Sequence, residues 1–365
     1  MVVGLSLLTL VPGVVGGSER YARELTKALA RIGEHEYRAF LPTIAPDAAD
    51  GLASTVVPEY RAGRSLPRRL AAMSLAAAAP GRVLRHLDPD GLDAIHFPLS
   101  VMIPRIERPP AATTVHDLQH DFFPEFFSRA ELAYRRLVYG WTLERSRIVI
   151  ALSGHAHDTL VERHGLDPGR IRVIHHGLDH RRFRPDPGRT REPFLLYPAG
   201  GWRHKNHARL FEALVLVRRE RPELRLVLTG YGASRPLPEA VESRGRVSDD
   251  ELADLYRSAA CLVFPSLYEG FGLPPLEAMA CGCPVAVARA TSLPEVCGDA
   301  AEYFDPLSVE DMAAAILRAL PGSRVEQGLA RAAGFSWEAC ARAHDAVYAE
   351  LASGQAASPK TSTRA

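Results

Sequence analysis

Short apolar runs alternate with segments of helical periodicity along most of the chain. The first run, residues 2–15, contains no charged residue and is broken by Pro12 and Gly13. It lacks a preceding positive segment and is too short to span a bilayer, so we interpret it as a buried first strand rather than a signal peptide. A glycine turn and apolar positions at helical spacing follow, with Ser18 as the predicted N-cap.

Further apolar runs predict two series of strands separated by a linker. The first series comprises Ala94–Phe97, Ala112–His116, Ile148–Leu152 and Arg172–Ile174. Residues 180–193 are charged, rich in proline and without apolar periodicity, which is typical of a linker. The second series comprises Phe194–Tyr197, Leu224–Thr229, Cys261–Phe264 and Val285–Val287. Because helical segments lie between the strands, the pattern predicts two doubly wound α/β domains with a ligand crevice at the carboxyl ends of their strands.

Composition excludes several classes of protein. The 365 residues include 44 Lys and Arg against 43 Asp and Glu, a net charge of +1, which excludes the basic surface of a dedicated nucleic-acid-binding protein. The five cysteines are odd in number and their spacing does not match a zinc site, so we expect reduced thiols in a cytosolic protein. No segment approaches ~18 uncharged apolar residues, and no transmembrane helix is expected.

The densest candidate for chemistry is residues 269–277, E-G-F-G-L-P-P-L-E, which come soon after a predicted strand. The glycines allow close approach of a ligand, and the following helix N-terminus offers unpaired N–H groups to a phosphate. Glu277 is expected in the first turn of that helix, where its carboxylate can accept two ribose hydroxyls, and Glu269 is expected on the loop. The alternative is a glycine turn before a capped helix, with two solvated glutamates.

A second candidate is residues 197–207, Y-P-A-G-G-W-R-H-K-N-H. A strand ends, two glycines turn the chain, and Arg203 and Lys205 follow on the loop. Two cations beside a flexible backbone suit a departing diphosphate, because they neutralise its charge as the bond to the sugar breaks. A basic surface loop is the alternative.

Residues 269–277, followed by A-M-A-C-G-C-P-V, resemble the E-x7-E signature of family 4 retaining glycosyltransferases. That family has the GT-B fold, two doubly wound Rossmann-like domains facing each other across a cleft, and the resemblance extends from about residue 2 to 350. It implies that Glu277 holds the nucleotide ribose and Glu269 contacts the donor sugar. It places the backbone of three residues near the sugar and the diphosphate: Phe271, Gly272 and Leu273.

The resemblance also assigns Lys205 to the diphosphate. The arginine that usually precedes this lysine is replaced by Ala199, so Arg203 is assigned by its chemistry alone. Gly230 and Val247 lie in segments that resemble those touching the nucleotide and recognising its base. The family implies an enzyme that needs no metal and no cofactor, with the nucleoside-diphosphate sugar as co-substrate.

In the N-terminal half, Gly16 and Gly17 form the turn that the family uses to face the donor phosphates and the acceptor. His116 follows a predicted strand and matches the family histidine that orients the sugar; a core histidine is the alternative. Two further residues at strand ends, His96 and Ser153, are weaker candidates. His175–Asp179 resembles the hinge motif, with His175 where proline is usual, which leaves the role of Asp179 open.

Two other features resemble binding motifs but have simpler structural interpretations. Asp88-Pro89-Asp90 has the form of a metal-binding motif of another glycosyltransferase fold, but we interpret it as a loop. Residues 60–86 contain no acidic residue and six arginines, namely Arg61, Arg64, Arg68, Arg69, Arg82 and Arg85. A solvated helix or an acceptor-binding loop is favoured over peripheral contact with an anionic membrane.

The sequence therefore predicts a retaining hexosyltransferase with His116, Glu269 and Lys205 as catalytic residues. GDP-mannose is slightly favoured as donor over a UDP-sugar, because the 197–207 segment is similar to mannosyltransferase-like members. The acceptor is a hydroxyl on a glycan, a lipid-linked sugar or a small molecule. A nucleotide-sugar 2-epimerase of the same architecture is the alternative, whereas a dinucleotide-dependent oxidoreductase would need a G-x-G-x-x-G turn that is absent after the first strand.

The predicted organisation has four parts: residues 1–180 as an acceptor-binding domain, 181–335 as a donor-binding domain, 336–352 as a helix returning to the first domain, and 353–365 as a disordered tail. The predicted location is the cytoplasm, including the inner face of the membrane. No nucleic-acid partner is expected.

Overall fold

The computed structural model describes residues 1–14, 16–232 and 236–354, so the predicted tail lies outside the described residues from position 355 onward. The chain divides into two compact units. Unit 1 consists of Met1–His176 together with the segment from Trp337, and unit 2 consists of Gly177–Ser336. The sequence placed the corresponding boundaries at residues 180 and 335.

Unit 1 is built on a seven-stranded sheet in the order β3-β2-β1-β4-β5-β6-β7, with every neighbouring pair parallel. Its strands are β1 Val2–Ser6, β2 Glu36–Pro42, β3 Ala53–Val57, β4 Ala94–Phe97, β5 Ala111–Val115, β6 Ile148–Ala151 and β7 Ile171–Val173. Its helices before the boundary are α1 Gly17–Ile32, α2 Leu66–Ala78, α3 Pro80–Leu87, α4 Arg129–Arg145 and α5 Gly154–His164. The strands β4, β5 and β6 are buried along their whole length, as expected for a parallel sheet covered on both faces.

The first apolar run is a strand over only part of its predicted length. The strand β1 ends at Ser6, and the Leu10 amide then donates to the Leu7 carbonyl at 2.9 Å as the chain turns. Leu7 and Leu10 are nevertheless fully buried. The apolar composition therefore reflects burial rather than strand structure beyond residue 6.

The predicted N-cap of the first helix is wrong. Helix α1 begins at Gly17, and its N-cap is Gly16 with φ of 55° and no capping side chain. Ser18 therefore lies inside the first turn. Glu19, in the same turn, binds the preceding loop: its carboxylate accepts a hydrogen bond from the Gly13 amide at 2.7 Å.

The arginine-rich segment 60–86 forms the helices α2 and α3 and the loop before them. Its apolar side chains, including Ala72, Ala76 and Val83, pack into the core of unit 1. These apolar side chains are thus covered by the protein itself, whereas Leu70 of the same segment is exposed. Membrane contact through residues 60–86 stays a prediction that depends on the arginines.

Unit 2 is built on a six-stranded parallel sheet in the order β10-β9-β8-β11-β12-β13. Its strands are β8 Glu192–Pro198, β9 Arg225–Thr229, β10 Val241–Ser243, β11 Ala259–Phe264, β12 Val285–Ala288 and β13 Glu302–Phe304. Its helices are α6 His207–Glu220, α7 Asp249–Ser258, α8 Leu273–Ala280, α9 Leu293–Cys297, α10 Val309–Ala319 and α11 Val325–Ala333.

The predicted linker is packed against unit 2 over part of its length. Phe183 is buried, with its ring centroid 6.0 Å from that of Tyr256 on α7. The Arg182 guanidinium pairs with Asp249 at 3.1 Å and with Asp250 at 2.9 Å. Because residues 180–193 are rich in charged side chains, their sequence did not indicate that Phe183 would be buried or that Arg182 would form ion pairs.

The last helix, α12 Trp337–Ser353, belongs to unit 1 and packs on α1. It is joined to the sheet by a buried chain of hydrogen bonds. The Tyr348 hydroxyl and Nδ1 of His96 are 2.9 Å apart, and Nε2 of His96 is 2.8 Å from the Thr114 hydroxyl. Thr114 is 2.9 Å from the Tyr21 hydroxyl, which is 2.7 Å from Nε2 of His344.

The Cys340 carbonyl, at the end of this chain of hydrogen bonds, sets which atom of each pair is the donor. Nδ1 of His344 lies 2.8 Å from the Cys340 carbonyl, which can only accept, so Nδ1 carries the proton and Nε2 accepts from Tyr21. Tyr21 then accepts from Thr114, Thr114 from Nε2 of His96, and Nδ1 of His96 from Tyr348. These directions require neutral imidazoles, which burial favours: it lowers the pKa of His344 to about 4 and that of His96 well below its usual value.

We expect unit 1 to lose stability in acid. Burial also lowers the pKa of His116 to about 4 and that of His176 well below 6.5. Because the folded pKa values lie below the unfolded value, the stabilisation is complete above about pH 6.5 and is lost as the pH falls towards 4. Each such histidine contributes a slope of about 1.4 kcal/mol per pH unit to the free energy of unfolding.

Denaturant titrations between pH 7.5 and 4.5 measure this slope. His344→Gln should reduce the slope by the contribution of one proton, about 1.4 kcal/mol per pH unit. Gln327→Ala, which removes no titratable group at an exposed position of α11, should leave the slope unchanged. Equal slopes for the wild type and the His344 variant would contradict the assignment.

Neither a spanning helix nor a metal cluster is found in the described part of the chain. No helix there is long and apolar enough to cross a membrane. Within the same residues, no group of three or more His, Cys, Asp or Glu side chains is placed to hold a metal ion. The Asp88-Pro89-Asp90 motif lies in a turn, with Asp88 at φ of 45° before the short 3-10 helix Pro89–Gly91.

Candidate functional site

The sheet topology of unit 2 creates a switch point between β8 and β11. From β8, one side of the sheet continues to β9 and β10 and the other to β11 and β12. In doubly wound sheets, ligands bind at the carboxyl ends of the strands where the order reverses. The loops that follow β8 and β11 contain the two segments that the sequence singled out, residues 199–206 and 265–272.

These two loops are held together by backbone and side-chain hydrogen bonds. The Leu267 amide donates to the His204 carbonyl at 2.8 Å. The side-chain amide of Asn206 donates to the Pro265 carbonyl at 3.1 Å and to the Pro306 carbonyl at 2.8 Å. The Tyr197 hydroxyl, at the end of β8, donates to the Lys205 carbonyl at 2.7 Å. The backbone of Lys205 and both of its neighbours, His204 and Asn206, are therefore held by hydrogen bonds.

Lys205 and Glu269 meet as an ion pair. Nζ of Lys205 lies 2.5 Å from Oε1 of Glu269, and the two side chains are 13% and 15% exposed. The neighbouring imidazoles carry no charge, since burial and Lys205 lower the pKa of His204 to about 3 and that of His207 to about 4. The positive charge on this short turn is thus carried by Lys205 and by the exposed Arg203. A further cation, Arg209 on α6, donates to Oδ1 of Asn206 at 3.1 Å.

Glu277 is buried, but not where the sequence placed it. Helix α8 begins at Leu273, so Glu277 is its fifth residue, beyond the first turn. Its side chain is almost fully buried, and Oε2 accepts a hydrogen bond from the Tyr256 hydroxyl at 3.0 Å. The prolines occupy the first turn, where they cost no hydrogen bond, and the carboxylate therefore lies at the start of the second turn.

Gly272 is the N-cap of α8 and has φ of 109°, a conformation that side chains rarely adopt. A Cβ at this position would also lie 2.7 Å from Cδ2 of Leu293. Leu273 and Phe271 beside it are buried, and the ring of Phe271 packs edge-on to Phe335 at 5.9 Å.

Two residues that sequence reasoning missed support this loop. The Glu269 amide donates to the Thr291 hydroxyl at 3.0 Å, and that hydroxyl donates back to the Glu269 carbonyl at 3.1 Å. The Ser292 hydroxyl lies 2.7 Å from the Phe271 carbonyl and 3.0 Å from that of Glu269. The signal for these residues is the polar pair Thr291-Ser292 just after β12, at the carboxyl end of a neighbouring strand.

We expect Gly272→Ala to lower the free energy of unfolding by about 1–3 kcal/mol, because of its left-handed backbone and the contact with Leu293. Gly140→Ala is the matched control: this glycine lies inside α4, and an added Cβ meets nothing within 4 Å. The control should be neutral or stabilising, since alanine favours helix. Urea titration of both variants measures the difference. An equal response of the two would contradict the steric argument.

The predicted nucleotide segments of unit 2 also meet. The Gly230 amide donates to the Gly245 carbonyl at 2.5 Å, and the Arg244 amide donates to the Leu228 carbonyl at 2.9 Å. Gly230 has φ of 75° at the end of β9. Val247 is half-buried on the adjoining loop, one residue before Ser248, whose hydroxyl caps α7.

In unit 1, His116 lies one residue beyond the end of β5. Its Nε2 is 2.7 Å from the Pro98 carbonyl, which can only accept, so Nε2 carries the proton. The Ser100 hydroxyl accepts from its backbone amide at 3.0 Å, and the ring of Tyr21 packs edge-on at 4.8 Å. With its lowered pKa, His116 is a neutral imidazole suited to accepting a hydrogen bond or contacting a sugar, not to donating a proton as an acid at neutral pH.

The weaker candidates of unit 1 have structural roles. His96 is fully buried and uses both ring nitrogens in the hydrogen-bond chain described above. Ser153 is the N-cap of α5 and accepts from the Ala156 amide at 3.1 Å. Asp179 is the third residue of unit 2, where its carboxylate accepts from the Arg181 amide at 3.0 Å. Gly16 caps α1, next to Gly17.

Solved structures define the class of the fold. Sucrose-phosphate synthase from Thermosynechococcus elongatus is 21% identical, and the match covers 97% of this chain and 100% of that one with a TM-score of 0.75. The Anabaena protein Alr3699/HepE, in complex with UDP and glucose, is 15% identical and matches with a TM-score of 0.69 over 96% of this chain and 100% of that chain. The fold is that of the GT-B glycosyltransferases, with two Rossmann-like parallel-sheet domains.

Sequence comparisons identify the family. Residues 15–182 match Glycosyltransferase Family 4, and residues 179–333 match Glycosyl transferases group 1. The O-antigen chain mannosyltransferase B of Escherichia coli is 30% identical over 67% of this chain and 71% of its own length. The MMP alpha-(1->4)-mannosyltransferase of Mycolicibacterium hassiacum is 35% identical over 54% of this chain, which spans only about half (52%) of that protein. The chain belongs to the family 4 glycosyltransferases, and the predicted enzyme class is confirmed.

Proposed function

We propose that this glycosyltransferase moves a hexose from a nucleoside-diphosphate sugar to an acceptor hydroxyl with retention of configuration. The observation that carries the proposal is the Lys205–Glu269 ion pair at the β8–β11 switch point. Lys205 is the cation for the diphosphate, and Glu269 is the carboxylate for the sugar. Unit 2 binds the donor, and unit 1 binds the acceptor.

The chemistry proposed for unit 2 is stabilisation of the leaving group. As the bond between the anomeric carbon and the phosphate oxygen breaks, negative charge grows on the diphosphate. Lys205 and Arg203, together with the N-terminus of α8, offset that charge. The acceptor oxygen bonds to the anomeric carbon on the face that the diphosphate leaves, and its proton passes to an oxygen of the departing diphosphate. Glu269 and His116 orient the sugar.

The donor is proposed to be GDP-mannose, with a UDP-sugar as the second candidate. The names of the E. coli and M. hassiacum relatives support the mannosyl group. The acceptor hydroxyl is proposed to belong to a glycan, a lipid-linked sugar or a small molecule.

Slow hydrolysis across a panel of GDP-, UDP- and dTDP-sugars tests the proposed function. We expect GDP-mannose to be consumed fastest, with release of GDP and α-configured mannose. A sugar released in the inverted configuration would overturn the retaining mechanism, and no turnover or binding of any donor would overturn the proposal as a whole. Conversion of the donor sugar at C2 without loss of the nucleotide would identify the epimerase instead.

A further inference from the structure

A cavity of about 420 Å³ lies in unit 1, and none of the predicted catalytic or donor-binding residues lines it. Its lining residues are Thr43, Arg61, Ala62, Arg68 and Ala71. Thr43 directly follows β2, and the loop carrying Arg61 and Ala62 follows β3. The cavity therefore lies at the carboxyl edge of the parallel sheet, the edge at which doubly wound domains bind ligands, and its volume is in the range of small-molecule sites.

The charge in this cavity is not neutralised by the described residues. Neither Arg61 nor Arg68 lies within ion-pair distance of a carboxylate there, and residues 60–86 contain no acid. Glu59, the nearest acidic residue in the sequence, is engaged by Arg85 and by His86, the latter at 2.7 Å. The two guanidinium groups thus form a local positive site in a chain whose net charge is close to zero.

The position of Arg68 is set by the local structure. Arg68 lies in the first turn of α2, which carries no acidic residue. Its side chain crosses Gly63, because a Cβ at Gly63 would lie 2.8 Å from Cδ and 3.1 Å from Cβ of Arg68. The glycine therefore leaves room for the arginine to lie across the loop, on the same side as the positive end of the helix dipole.

We propose that this cavity binds a phosphate group carried by the acceptor. A phosphate presents about two negative charges and three acceptor oxygens, which match two guanidinium forks and the Thr43 hydroxyl. The assignment to the acceptor rests on the proposed function, in which unit 1 binds that substrate. The phosphate belongs to either a soluble sugar phosphate or a lipid-linked sugar.

Phosphate binding is measured by calorimetry on the full chain, in an Arg203→Ala/Lys205→Ala background that removes the proposed diphosphate site. Inorganic phosphate is the probe. We expect Arg61→Gln/Arg68→Gln to weaken its binding about tenfold or more, because two charge-assisted contacts are lost. Arg82→Gln, an exposed arginine of the same segment outside the cavity, should leave binding unchanged.

A second variant tests the position of the Arg68 side chain without changing the charge of the cavity. Gly63→Ala removes no charge but displaces the Arg68 side chain, so binding should weaken severalfold. Circular dichroism checks that each variant is folded. Equal losses in the cavity variant and in Arg82→Gln, or no loss in either, would overturn the site.

Two further arms identify the source of the phosphate. Competition by hexose 6-phosphate without sedimentation on vesicles indicates a soluble acceptor. Sedimentation with phosphatidylglycerol vesicles that is lost in Arg61→Gln/Arg68→Gln and kept in Arg82→Gln indicates a lipid phosphate. These readouts need no transfer activity, so a failure of the donor panel and a failure of this site are distinguishable.

Discussion

Lys205→Ala should lower the turnover of donor hydrolysis and transfer by about a hundredfold to a thousandfold, the usual cost of removing one preorganised group that stabilises transition-state charge. The physical reason is that the charge opposite Lys205 grows as the diphosphate leaves, so the lysine stabilises the transition state more than bound donor. The loss should therefore appear mainly in kcat, with a smaller change in the KM for the donor. Steady-state kinetics at varied donor concentration measures both quantities.

Lys27→Ala is the matched control, since Lys27 lies on α1 in unit 1 with a side chain that is 53% exposed. It should keep wild-type turnover. Unchanged turnover of Lys205→Ala would refute the leaving-group role.

The ion pair with Glu269 requires a second comparison, because Lys205→Ala also leaves a nearly buried carboxylate unpaired. If Lys205 only positions Glu269, Glu269→Gln and the double variant should have the same turnover. If the lysine also faces the diphosphate, the double variant should be slower than Glu269→Gln alone. Lys205→Arg, which keeps the charge with a different shape, should restore part of the activity.

The strands and loops that carry the site were predictable because their signals are local. Buried runs such as Leu224–Thr229 and Cys261–Phe264 are apolar on both faces, and the glycines and cations that follow β8 lie within ten residues of one another. The strands β2 and β3 were not identified. Charged residues interrupt β2, and β3 is an edge strand with four exposed positions.

Contacts between distant residues account for what the sequence could not predict at the site. The hydrogen bond from Tyr256 to Glu277 and the support of Glu269 by Thr291 join residues 21 and 22 positions apart. No local pattern marks these partners. His96 and His116 also look alike in sequence, since both lie near the end of a strand. Only the packing of α12 shows that His96 is enclosed in the core.

Glu277→Gln should raise the KM for the donor about tenfold to a hundredfold while changing kcat much less. The family resemblance implies that the Glu277 carboxylate accepts hydrogen bonds from both ribose hydroxyls. In that role it acts equally on bound donor and on the transition state, and each hydrogen bond to a charged group contributes about 1.5–3 kcal/mol. Tyr256→Phe should have a smaller effect, since it removes one donor to Oε2 and keeps the charge. Glu212→Gln, at an exposed position of α6, is the matched control.

The ribose assignment has a direct test in the ligand. Wild-type protein should bind GDP more tightly than 2′-deoxy-GDP by about tenfold, because the deoxy compound leaves the Glu277 carboxylate with one hydrogen bond fewer. In Glu277→Gln the preference should largely disappear, since the charged partner is already gone. Calorimetric titration of both nucleotides into both proteins gives the four dissociation constants that this comparison needs. A preference that persists in the variant would place the ribose elsewhere and leave Glu277 as a structural partner of Tyr256.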